Sequence, residues 1–98
     1  MNIDSIKQEG KVLFDDFLID PSSSLLDQLD SLKEDMLQIE IKGEYILDIG
    51  WRPSFNPDGE FKIALIRNYD WVNPVYFGEA KSIDSLEEQI KLAILNAN

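Results

Sequence analysis

The sequence predicts an α+β domain of order ααββββα in two layers, with two N-terminal helices, a four-stranded antiparallel sheet and a C-terminal helix. Three observations predict it. Apolar residues in the first third recur at steps of three and four, from Leu37 the period drops to two, and from Asp84 helical spacing returns behind a capping signal. With 98 residues the chain is expected to form a single domain, 1–98, burying about 60 to 65 % of the surface its unfolded form exposes.

Ile3, Ile6, Gly10, Leu13, Phe14, Phe17 and Leu18 fit one face of a helix running from Ile3 to Leu18, with Asp4 as N-cap and Gly10 marking either a close helix approach or a weak point. Asp20-Pro21 ends it, because a residue before proline is pushed out of the α region. Ser22, Ser23 and Ser24 then offer hydroxyl caps for a second helix with Leu25, Leu29, Leu32 and Met36 on its apolar side and Asp27, Asp30, Glu34 and Asp35 on the others.

Leu37, Ile39 and Ile41 alternate with Gln38, Glu40 and Lys42. A turn at Lys42-Gly43-Glu44 leads into Tyr45, Leu47, Ile49 and Trp51, which makes a hairpin. Pro57-Asp58-Gly59 suits a β-turn ahead of a strand from Phe61 to Arg67. A further turn, Asn68 to Pro74, precedes Val75 to Ala80, whose Gly78 and short length suit an edge strand. Asp84-Ser85-Leu86-Glu87 opens the last helix with Asp84 as its cap, burying Leu86, Ile90, Ala93 and Ile94. Three amphipathic helices are then available to cover one face of the sheet.

Composition excludes much. The chain has no Cys and no His, so disulfides, thiolate zinc sites, thiol nucleophiles and the usual neutral-pH proton shuttle are absent. Nineteen acids against nine bases give a net charge of −10, which repels nucleic acid and anionic membranes and favours encounter with a basic protein. Nine of the acids and only three lysines lie between Asp4 and Asp35. No basic and apolar leader opens the chain and no apolar run could span a bilayer, so a cytoplasmic protein without cofactor or metal is expected.

Individual acids offer little chemistry. Asp15-Asp16 and Glu34-Asp35 are adjacent pairs that point about 100° apart on a helix and cannot close on one ion. Asn56-Pro57-Asp58-Gly59-Glu60 lacks the alternating ligands of a calcium loop and reads as a turn. Asp48 and Asp70 could form a glycosidase-like pair only if folding joined them, and Asp48 otherwise takes a solvated position on the outer sheet face or a hydrogen-bonding role near the strand end. Trp51 continues the strand alternation and belongs to core or sheet-end packing, not to a binding platform. Trp71 sits in a polar connection, either as an interface anchor or as a plug for the end of the sheet. Asp58, Glu60, Asp70 and Trp71 in the loops, then Asp27, Asp30 and Glu34 on the helix, are the candidate partner contacts.

The run Leu37-Gln38-Ile39-Glu40, then Leu47-Asp48-Ile49-Gly50-Trp51-Arg52-Pro53, Pro57-Asp58-Gly59-Glu60-Phe61, Ile66-Arg67, Asp70-Trp71 and Pro74 resembles the small acidic immunity proteins of bacterial contact-dependent growth inhibition and related polymorphic toxin systems. The resemblance covers roughly the last two thirds of the chain and rests on a Gly-Trp-x-Pro turn, a Pro-Asp-Gly-x-Phe turn and an Asp-Trp pair. It implies an antitoxin that occludes the C-terminal toxin domain of its cognate effector, most often a nuclease, without catalysing anything. It transfers no binding residue, because such contacts vary with the toxin.

Two other classes fit the same sequence. One is an acidic adaptor that offers the strand Val75 to Ala80 for β-augmentation. The other is a hydrolase using carboxylates alone, which requires an Asp or Glu with a raised pKa in a cleft. The oligomeric state expected is a monomer or weak dimer.

Overall fold

Strict alternation in Leu37-Gln38-Ile39-Glu40-Ile41 sends three aliphatic side chains to one side and two polar ones to the other, and this segment is the second of five strands. The computed structural model describes residues 2–97. In chain order it contains α1 (Ile3–Ile6), β1 (Lys11–Asp15), a 3-10 segment (Leu25–Ser31), β2 (Leu37–Ile41), β3 (Tyr45–Arg52), β4 (Glu60–Arg67), β5 (Tyr76–Ala80) and α2 (Ile83–Leu95). The strands pair antiparallel in the order β1-β2-β3-β4-β5, a meander with β1 and β5 at its edges.

One face of this sheet is the core. Ile39, Leu47 and Leu65 stand in register across β2, β3 and β4 and are fully buried. Leu86, Ile90 and Ala93 of α2 close over them, together with Ile6, Phe17, Ile19, Leu32 and Met36 from the N-terminal third. Phe61 stacks on Phe17 and meets the edge of Trp51, with ring centroids 6.4 and 4.9 Å away. Each such side chain, fully buried, stabilises the fold by about 1.5–3 kcal/mol. The expected core position of Trp51 is observed, and its Nε1 donates to the Asn56 carbonyl at 2.9 Å.

The central hairpin, the antiparallel meander, the edge position of the last strand and the C-terminal helix match the sequence. The N-terminal third does not. The expected helix Ile3–Leu18 stops at Ile6, capped by Asn2 and Ser5 in a reciprocal pair and not by Asp4. Gly10 then passes so close to β2 that a Cβ there would lie 1.9 Å from the Glu40 carbonyl oxygen. That approach lets Lys11–Asp15 pair with β2 as a fifth strand, so four strands become five. Leu13 is the extra residue of a bulge, the register shifting between Val12 and Phe14.

The second expected helix is also absent as such. Ser24 caps the 3-10 segment, but Gln28 leaves helical geometry at φ −128°, ψ 27° because its side chain amide is held by Asp20. The Asp20 N–H donates to Gln28 Oε1 at 2.7 Å and Gln28 Nε2 donates to the Asp20 carbonyl at 2.9 Å. Beyond Leu32 the chain is extended and docks on β3, with Trp51 N–H donating to the Lys33 carbonyl and Met36 N–H to that of Ile49. Gly50 makes room for this pass, since a Cβ would meet the Glu34 carbonyl oxygen at 1.7 Å. Finally, α2 is capped by Ser82, whose hydroxyl accepts from Ser85 N–H, two residues ahead of the expected Asp84.

Candidate functional site

With α2 and the N-terminal third on one side, the opposite face of the sheet has no helix over it. Register places Phe14, Gln38, Asp48, Ala64 and Phe77 in one row across all five strands on that face. Strands are about 4.8 Å apart, so the two phenylalanines flank a carboxylate at the centre of the row. Ala64, the smallest side chain of the row, leaves a hollow between Asp48 and Phe77.

The β4–β5 connection completes the hollow. Asn68 and Tyr69 adopt left-handed backbone, φ 52° and 61°, and turn the chain back over the sheet. Trp71 and Pro74 then share with Asp48, Arg52, Lys62, Ala64, Ile66 and Phe77 a groove of about 350 Å³. Ile46 and Ile66, opposed in register, are buried although they lie outside the main core. Trp71, Phe77 and Phe14 stay open to solvent at 47, 56 and 41 %. Trp71 thus neither plugs the sheet end nor projects freely; it forms one wall of a groove on the open face.

Asp48 is half-buried, and burial first of all pushes its carboxyl above the ordinary range, with nearby Asp35 adding to the effect while the Gln38 hydrogen bond and Arg52 oppose it. Gln38 Nε2 donates to it at 3.1 Å. Among the described residues no ammonium or guanidinium lies within ion-pair distance of Asp48, because the cations of the groove are engaged elsewhere. Lys62 bridges Glu60 and Glu79, which raise its pKa, Glu79 foremost. Arg52 approaches Glu34 at 3.9 Å. No family model, no curated protein and no solved structure matches this chain.

The expected contact residues are dispersed. Trp71 lines the groove, and Glu60 and Glu34 touch its rim through Lys62 and Arg52. Asp70 accepts from Asn73 N–H and Nδ2 and shapes its own turn. Asp58 is exposed in the β3–β4 turn, where its N–H donates to Asn56 Oδ1, so the calcium-like stretch is a turn. Asp27 and Asp30 are exposed on the 3-10 segment, not on an α-helical face. The adjacent pairs diverge, Asp15 to Lys7 at 2.8 Å and Asp16 to Lys33 at 2.7 Å. Among the described residues no three carboxylates converge on a point that could hold a metal, and no helix is long and apolar enough to cross a membrane.

Phe14, Ala64 and Phe77 were not singled out by sequence. Their signal is register alone: once Gln38 pairs with Asp48, the residues beyond them on the same row follow.

Proposed function

We propose that the chain is a non-catalytic, immunity-type protein that binds and neutralises a basic bacterial toxin domain, a nuclease in the first instance, by occluding it. The observation that supports this reading is the open sheet face, where exposed Trp71, Phe77 and Phe14 lie around a carboxylate that forms no ion pair among the described residues, in a chain of net charge −10. Aromatic anchors in a partly desolvated hollow are the usual centre of a protein interface. A nuclease holds phosphate with Lys and Arg, so an acidic surface both steers encounter and competes for the same groups.

Co-expression tests it. The products of the genes flanking this one are made singly, any that proves toxic is produced with and without the chain, and growth, nuclease activity and complex stoichiometry are measured at low and high salt. Restored growth with a stoichiometric complex weakened by salt is the expected result. Undiminished toxicity in the presence of folded protein overturns the reading.

A hydrolase using carboxylates alone has one observation in its favour, the raised pKa of Asp48 in a groove. Acid–base hydrolysis of that kind needs a second carboxylate across the substrate. Asp48 is the sole acid among the residues lining the groove, which favours binding over chemistry.

A further inference from the structure

We infer that the groove on the open face is an arginine socket: a guanidinium from a basic partner protein pairs with Asp48 on the floor and lies against Trp71 and Phe77. This deepens the proposed function and shares with it only the premise that the open face meets a basic protein.

Charge complementarity selects the occupant. Every charged group around the groove is accounted for: Lys62 is neutralised by Glu60 and Glu79, Arg52 faces Glu34, and Asp35 adds negative charge beside Asp48. Among the described residues no cation forms an ion pair with Asp48, and Arg52 offsets only part of its charge. Asp48, Asp35, Glu34, Glu60 and Glu79 outnumber Arg52 and Lys62 in and around the groove, which favours a cation over an anion.

Shape selects arginine among cations. The walls are aromatic planes, on which a flat guanidinium stacks while its N–H fork reaches a carboxylate, whereas an ammonium offers a strongly hydrated point charge. Ala64 supplies the depth. Because Asp48, Ala64 and Phe77 lie in one row on three successive strands, the backbones that carry the carboxylate and the ring are about 10 Å apart, with only a methyl group between them.

Capped peptides Gly-Arg-Gly, Gly-Lys-Gly and Gly-Gln-Gly, titrated into the full chain labelled with nitrogen-15, test the inference. The Trp51 indole, bonded to Asn56 inside the core, is an internal control. The expected result is that the arginine peptide moves the Trp71 indole and the Ala64 and Phe77 amides, leaves Trp51 unmoved, and binds more tightly than the lysine peptide. Asp48→Asn keeps the Gln38 hydrogen bond and should weaken arginine binding about tenfold, and Phe77→Ala, which keeps the carboxylate, about threefold. Equal response to the glutamine or lysine peptide, shifts spread over Asp27 and Asp30, or undiminished binding by Asp48→Asn each overturn it. So do concentration-dependent shifts of the groove without peptide, which would assign the face to a second copy of the chain. Peptide binding without toxin neutralisation would uphold the socket and overturn the proposed function; neutralisation without peptide binding would do the reverse.

Discussion

Gln38 and Asp48 face each other across β2 and β3, joined by a single 3.1 Å hydrogen bond on the side of the sheet that no helix covers. The amide satisfies one oxygen and neutralises nothing. Burial therefore leaves the folded chain holding the Asp48 proton through a window, above the ordinary carboxylate pKa, in which the unfolded chain has released it. In that window the folded form binds more protons, so stability falls as pH rises. Asp48→Asn should be more stable than the parent at neutral pH, by a few tenths to about 1 kcal/mol after solvent screening, with the gain vanishing in acid. Urea denaturation of both proteins across pH checks it; a variant less stable at pH 7 would contradict the sign.

Asp15 bends the pH profile the other way. Its pKa is lowered, chiefly by the hydrogen bond from Lys7, against an opposing effect of burial that is larger than the further lowering by the N–H of Phe17. Stability from this pair is present above the ordinary carboxylate value and is lost as pH falls through the depressed one. Lys7→Met should remove only a few tenths of a kcal/mol, the usual worth of an exposed pair. Amide exchange is the sensitive probe: protection at the end of β1 should drop while the β3–β4 centre keeps its own.

Gly10→Ala separates two structures of the N-terminus. In a helix the substitution would stabilise by about 1 kcal/mol. Against β2 the new Cβ meets backbone, not a movable side chain, so a loss of about 1–3 kcal/mol is expected. Thermal denaturation gives the sign directly.

Phe61→Ala empties the space between Phe17 and Trp51 and should cost about 3–5 kcal/mol. That is a large share of the stability of any domain this size. A urea midpoint shifted by less than a third of its value would show that the aromatic cluster can collapse around the void.

The middle of the fold was legible because β2 alternates strictly and β3 does so apart from Ile46, and alternation fixes faces as well as strands. It put Trp51 inside and Asp48 outside. The N-terminus was not legible, since Leu13, Phe14 and Phe17 satisfy helical spacing and strand spacing alike. What decides is distant in sequence: β2 has an edge to fill, and Gly10 can approach Glu40. Likewise the 3-10 segment fails as a helix because Gln28 bonds to Asp20, a pairing that no periodicity records. The groove depends on a tyrosine in left-handed conformation at position 69, a geometry that residue type does not announce. Trp71 could be flagged, but where it lands could not.

A meander never closes on itself, so its outermost strand is a template on which another chain could grow. The extra residue at Leu13 breaks that template. On either side of it Lys11 faces outward with Glu40 and Asp15 inward with Leu37, positions that in a regular strand would share a face. An incoming strand in step with one half is out of step with the other, and addition stalls after a few rungs. The irregularity in β1 thus opposes regular strand addition along the exposed Val12-Leu13-Phe14 edge.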